Sequence, residues 1–306
     1  MISICIVTQN NEQTIKETLD SIARQTYGDF ECIIVDEFST DSTASIVASV
    51  CKEDDRFKLF MNCANRNLPY TDAHNKSYRY ASGEYLFRVN PDDILMPNHI
   101  QVLVEYMNDH TDIDVCCTRL GTCTFREGTW EMNNVSLEID NERIKKLREY
   151  PIVYFQDTSW YCLSEIFHNE TSAIRKSSYD RMSLEFMPHS QGYADNVFWR
   201  FACARGAKFD YINETTVVCK NQINYTYSKP AGPFSDFYCA VANYLGHLQY
   251  LENHEQFFKD NGGKLIFITE TFLNTIVYYM KALMDLGIWD EVPSYIKYIT
   301  PETDKI

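Results

Sequence analysis

With 306 residues, 45% of them apolar, the chain can bury a large α/β core plus a smaller appendage, which excludes disorder as its resting state. Asp and Glu number 43 against 28 Lys and Arg, leaving a formal charge of −15 that repels phosphate backbones and anionic lipid. The densest basic run, Arg143, Lys145, Lys146 and Arg148, is flanked by Glu142 and Glu149 and reads as a solvated helix face, so nucleic acid is excluded as a partner.

Eleven scattered cysteines without a CxxC pair read as reduced core thiols of a cytoplasmic protein, not as a zinc site. The N-terminus turns polar after seven residues, as a buried first strand does and a signal peptide does not. No run approaches the roughly 18 apolar residues of a membrane span.

Ile2 to Val7 predicts the first strand, and Glu12 to Arg24 a helix whose Ile15, Leu19, Ile22 and Ala23 share one face. Cys32 to Val35 is the second strand, followed by a polar turn in which Ser39 or Asp41 caps a helix running through Lys52. Phe57 to Phe60, Thr71 to Ala81 and Tyr85 to Val89 then read as strand, helix and strand, the last running into Asn90, Pro91, Asp92 and Asp93. This alternation is that of βαβ units on a parallel sheet, and it places the polar turns at carboxyl strand ends, where open α/β sheets bind ligands. Beyond Asp114 the pattern predicts a strand at Val115 to Leu120 and a helix near Asn141 to Glu149. A second helix follows at Asp195 to Arg205, with separate strands at Lys208 to Ile212 and Thr216 to Cys219. After the breaker Lys229 to Pro233 the chain reads as helical to about Tyr298.

The opening segment ISICIVTQNNEQTIKETLDSIARQTYGDFECIIVDEFSTDST, the segment NKSYRYASGEYLFRVNPDDILMPNHI and the later GYADNVFWRFACARGAKFDYI occur in an order and spacing that resemble family 2 glycosyltransferases of the GT-A fold. The resemblance covers about the first two thirds of the chain. It implies an α/β GT-A fold, a nucleotide-diphospho-sugar transferase with a Rossmann-like mixed sheet flanked by helices. It also implies inverting transfer of a hexose or N-acetylhexosamine from a nucleotide diphosphate sugar, a UDP-sugar by preference, to a hydroxyl of a glycan, lipid-linked or protein acceptor. Such enzymes serve polysaccharide or lipopolysaccharide biosynthesis.

Asp36 ends an apolar strand, where a carboxylate can accept the imide N–H of uracil; the resemblance assigns that role, against a plain helix cap. Thr8, Gln9 and Asn10 close the first strand and line the same nucleotide cleft, although Asn10 can also simply brace the turn. The turn Asn90 to Asp93 occupies the place of the family's DxD motif, so Asp92 is the expected ligand of Mn²⁺ or Mg²⁺ and Asp93 the reserve; hard cations take such oxygens. Asn90 stands where the family has a ribose-binding Asp, and Asn90→Asp is expected to be tolerated. His74, Asn75 and Lys76 fall where the family reads Ala-Arg-Asn-Lys-Gly beside the donor, and Arg66 or Lys76 can lend positive charge to the diphosphate. The resemblance makes Asp195 the general base, with Ala194 in place of the usual Glu; its plainer role is a helix cap. His168, Asn169 and Glu170 are candidates for acceptor hydroxyls, and Lys220 for a basic loop over the diphosphate.

The expected division is a catalytic domain over 1–228 and a helical extension over 229–306, its apolar stripes packing on that domain or on a second copy in a homodimer. The expected location is cytoplasmic, with attachment at the membrane periphery as the sharper reading of those stripes. Two rivals remain at this level: a non-catalytic nucleotide-sugar-binding protein on the same scaffold, and a nucleotidyltransferase, which lacks support because no Gly-rich, Lys-bearing phosphate loop is present.

Overall fold

The computed structural model describes residues 1–61, 70–126, 129–135, 142, 144, 169–187, 194–220, 234, 236–242, 244–245 and 273–292. The chain opens on β1 (Ile2–Thr8), all seven residues buried, then α1 (Ile15–Ala23), β2 (Phe30–Asp36), also wholly buried, and α2 (Thr43–Glu53). Continuous burial marks strands covered on both faces, as parallel strands are. β3 (Phe57–Met61), α3 (Tyr70–Tyr80), β4 (Tyr85–Arg88), the short β5 (Asp93–Leu95) and α4 (His99–Asp109) follow. Next come β6 (Val115–Arg126), β7 (Thr129–Val135), a 3-10 turn at Asn169–Thr171, β8 (Ser172–Arg175), α5 (Lys176–Arg181), α6 (Ala194–Ala204) and β9 (Phe209–Lys220).

The strands form one mixed sheet in the order β3-β2-β1-β4-β8-β6-β9-β5, with β7 hairpinned onto β6. β3, β2, β1 and β4 run parallel, so the ends of β1, β2 and β4 lie side by side on one edge of the sheet. The side-chain alternation of β1 separates two cores. Ile2, Ile4 and Ile6 pack with Ile15, Leu19, Val47 and Leu103 of α1, α2 and α4. Cys5 and Val7 face Ala73, Tyr78, Val197, Phe198 and Phe201 of α3 and α6. The helical residues 236–242 and 273–285 join this second core through Phe237, Ile276, Met280 and Leu283, and the Phe237 ring meets Trp289 edge-on at 5.5 Å.

At the opposite edge Gly83 passes so close to β1 that a Cβ there would lie 2.4 Å from the Ile2 carbonyl carbon. Its N–H donates to Ser3 Oγ (2.8 Å), which itself donates to Glu31 Oε1 (2.7 Å). Glu31 is buried and also accepts from Ser82 N and Oγ and from Lys58 Nζ.

Most of the expected helices and strands lie close to their observed bounds, with these differences. The two strands expected between 208 and 219 are one strand, β9, whose pairing with β6 shifts register beside Thr118 and Arg119; that irregularity absorbs the polar Asn213 and Glu214 on which the periodicity broke. α4, β5, β7, β8 and α5 were not expected, and β6 runs on to Arg126, beyond the expected Leu120. Of the two expected caps, Asp41 accepts from Thr43 N and Oγ1 at the start of α2, whereas Ser39 Oγ accepts from Asn10 N in the neighbouring loop. The helix expected near Asn141 to Glu149 lies outside the described residues apart from helical 142 and 144.

Candidate active site

The loops after β1 and β2 are stitched together. Register pairs Thr8 with Asp36, Thr8 Oγ1 donates to Asn11 Oδ1 (2.9 Å), Gln9 Nε2 donates to the Glu37 carbonyl (2.7 Å), and Asn10 Oδ1 accepts from Thr40 N (2.8 Å). Asn10 and Phe38 adopt φ of 54° and 56°, a left-handed conformation that Asn tolerates and Phe rarely takes; such strain gathers where a loop is shaped around a ligand. Between these loops Asp36 is fully buried. Its Oδ1 accepts the Ser39 N–H at 3.0 Å, while Oδ2 is buried and meets no hydrogen-bond donor among the described residues. A buried carboxylate oxygen left so is costly, and an N–H brought by a ligand would satisfy it.

One strand over, Val89 N bonds the Cys5 carbonyl, carrying the chain from β4 into the turn Asn90 to Asp93 at the same edge. Asp92 and Asp93 are 8% and 3% exposed. Asn90 Nδ2 donates to Asp93 Oδ2 at 2.9 Å, so the amide expected at a ribose instead braces its own turn. Asp93 pairs in register with Cys219 of β9, and ligand atoms of Asp93, Glu170 and Cys219 all lie within 4.8 Å of one another. Burial first, then Glu170 and Asp92, push the Asp93 carboxyl well above the usual carboxylate range. Crowded, poorly solvated carboxylates of this kind suit a hard divalent cation, which takes oxygen ligands and offsets their mutual repulsion, so Asp93 and Glu170 fit such an ion, whereas Asp92, the expected first ligand, lies outside that trio.

Asp195 lies in the first turn of α6, not at its cap, and its Oδ1 accepts from Arg88 Nη1 at the end of β4. That bond ties α6 to the strand that leads into the Asn90 turn. Arg88 is buried, within 3.4 Å of His74 Nε2 and with its guanidinium 5.2 Å from the Phe186 ring centroid. Burial, with Arg88 second, holds His74 well below the usual imidazole range. Asn75 spends its amide elsewhere than the donor cleft: Nδ2 donates to the Phe186 carbonyl (2.9 Å) and Oδ1 accepts the Phe186 N–H (2.7 Å), fastening α3 to the segment before α6.

Thr8, Gln9, Asn10, Asp36, Asn90, Asp92 and Asp93 therefore share one sheet edge, and Asp195 reaches that region through Arg88. Arg66, His168 and the side chains of Asn169 and Lys220 lie outside the described residues; the Lys220 backbone ends β9 opposite Cys123. Arg88, and the approach of Glu170 and Cys219 to Asp93, were not anticipated. Only one signal pointed to any of them: an arginine inside the apolar strand Tyr85 to Val89, which, once buried, requires a counter-charge.

A mixed sheet flanked by helices, with the loops after β1 and β2 and a carboxylate turn at the ends of its parallel strands, is the architecture of the GT-A class of nucleotide-sugar transferases. Residues 3–182 match the family model described as Glycosyl transferase family 2, and the chain belongs to that family and is a glycosyltransferase. It is 36% identical over 241 residues to an uncharacterized glycosyltransferase of Haemophilus influenzae, covering 75% of this chain and 71% of that one. It is 30% identical over 149 residues (47% of this chain, 46% of the other) to GalNAc(5)-diNAcBac-PP-undecaprenol beta-1,3-glucosyltransferase of Campylobacter jejuni. The fold superposes on S. aureus TarS 1-349, crystallised in complex with UDP-GlcNAc, with a TM-score of 0.63 at 17% identity, over 97% of this chain and 83% of that chain. No helix among the described residues is long and apolar enough to cross a membrane.

Proposed function

We propose that the chain transfers a hexose or N-acetylhexosamine from a UDP-sugar, with inversion and with a divalent cation, to a hydroxyl of a lipid-linked sugar. The observation that carries this reading is the buried, unsatisfied Oδ2 of Asp36, an acceptor for a base N–H, which this reading takes to be the imide N–H of uracil. The TarS complex with UDP-GlcNAc supports the donor class, and the undecaprenol-linked substrate of the Campylobacter relative supports a lipid-linked acceptor. An acceptor of that kind brings the enzyme to the cytoplasmic face of a membrane as a peripheral protein.

Each group then has a task. Asp36 reads the base, and the loop of Thr8, Gln9 and Asn10 walls the cleft. Asp92, with Asp93 beside it, would hold Mn²⁺ or Mg²⁺, and Arg66 and Lys220 are candidates to lend charge to the diphosphate. When bound, the cation offsets the negative charge that builds on the departing diphosphate. Asp195 accepts the acceptor's hydroxyl proton as the new bond from that oxygen to the anomeric carbon forms and the anomeric carbon's bond to UDP oxygen breaks, the electron pair leaving with UDP. A carboxylate is basic enough because the proton departs only as the glycosidic bond is broken.

The test is product analysis. Incubation with UDP-glucose or UDP-N-acetylglucosamine, Mn²⁺ and an undecaprenyl-diphosphate-linked N-acetylhexosamine should add one hexosyl or one N-acetylhexosaminyl mass, according to the donor, and invert the anomeric configuration. Asp92→Ala should lose Mn²⁺ stimulation. A product of retained configuration, or transfer only from a GDP-sugar, would contradict the reading.

A further inference from the structure

We infer that Arg88 is a positioning residue for the general base, an inference that rests on the assignment of that role to Asp195. The guanidinium is buried, its side chain 8% exposed, and a buried cation needs a counter-charge in contact. His74 lies within 3.4 Å of it but is held neutral by burial and by Arg88 itself, so its Nε2 offers only a lone pair. Asp195 supplies the charge: its Oδ1 accepts from Arg88 Nη1.

The pair is asymmetric. Arg88 sits in the core behind the site, against the Phe186 ring, while the Asp195 side chain is 47% exposed. A carboxylate in the first turn of a helix is otherwise free to turn about its side-chain torsions. Fixing Oδ1 on a rigid guanidinium at the end of a central strand restricts this half-exposed carboxylate to one orientation and leaves Oδ2, which makes no hydrogen bond among the described residues, to take a proton. Arg88 also lies two residues before Asn90, so the same strand end sets both the base and the carboxylate turn. Arg88 thus acts through Asp195, and its contribution is orientation. Misplacing a reacting group by about 1 Å costs on the order of 10²-fold in rate.

The experiment measures UDP release, with water in the acceptor's place, from UDP-glucose, UDP-galactose and their N-acetylamino counterparts in Mn²⁺. It compares the full chain with Arg88→Met, Arg88→Lys, Asp195→Asn and the double variant Arg88→Met/Asp195→Asn. UDP affinity and melting temperature are recorded for each. Arg88→Met should lower kcat by roughly 10- to 100-fold at unchanged UDP affinity. Arg88→Lys, which keeps the charge, should recover part of the loss, and the double variant should be no slower than Asp195→Asn alone. Should Arg88→Met fail to fold, a reduced kcat in Arg88→Lys at native UDP affinity carries the same meaning. Native kcat in Arg88→Met, or losses that multiply in the double variant, would overturn the inference while leaving the base in place. A native rate in Asp195→Asn, or no UDP release by the native chain, would instead remove the base assignment, and this inference with it.

Discussion

At the scale of single residues, Asn90 shows how a departure from a motif can be read only in three dimensions. By sequence it stands where a ribose-binding carboxylate is usual, and its replacement by Asp looks harmless. In the structure its amide donates to Asp93 Oδ2, and Asp93 already faces Glu170 in a buried cluster. Asn90→Asp removes a donor and adds a further carboxylate beside Asp92, Asp93 and Glu170, so the expected result is a loss of about 1–3 kcal/mol, measured by urea unfolding without metal. Stability equal to the native chain would show that the turn relaxes freely. The partner of Arg88 was illegible for a related reason: an arginine inside an apolar strand signals that a counter-charge is needed but not which one, and Asp195 lies 107 residues away. Asp36, Asp92 and Asp195, by contrast, could be proposed from the sequence because each stands at the end of a strand or the start of a helix in a segment that carries the family resemblance.

At the scale of elements, parallel strands announce themselves through unbroken apolar runs, and β1, β2 and β4 were found nearly at their observed bounds. Short or irregular strands do not. Three residues of β5 carry no periodicity, and β9 hides its continuity behind a shift of register against β6. The edge opposite the active site depends on a different device, the Glu31 carboxylate that gathers β1, β2, β3 and the Gly83 turn. Burial alone would raise its pKa, but hydrogen bonds from Lys58, Ser3 and Ser82 outweigh that and hold it at about 2. Its unfolded value is about 4.3, so its contribution is complete above that pH and is lost as pH falls toward 2. Glu31→Gln should cost about 1–3 kcal/mol at pH 7, and the gap from the native chain should narrow steadily as pH falls from about 4.3 toward about 2 in urea titrations. A gap independent of pH would mean that the carboxylate charge is not what the network holds.

For the whole molecule, the C-terminal helical residues share a core with α3 and α6, so the expected extension over 229–306 is not packed independently of the sheet where it is described. Leu283, fully buried in that core, should cost about 2–5 kcal/mol when replaced by Ala, with tryptophan fluorescence and far-ultraviolet circular dichroism still following one transition. Two separated transitions would indicate that the extension folds by itself. The same cooperativity lets the nucleotide cleft be probed through the stability of the entire fold, because a ligand that binds only the folded state raises its melting temperature. The most direct measurement compares thermal shifts from UDP, GDP and ADP with Mn²⁺ in the native chain and in Asp36→Asn. That variant keeps an oxygen for Ser39 N–H but can present an NH₂ where Oδ2 stood. The account predicts that UDP gives the largest shift and that Asp36→Asn weakens UDP binding by roughly tenfold or more without loss of fold. Equal shifts from all three nucleotides, or UDP binding unchanged in Asp36→Asn, would contradict it.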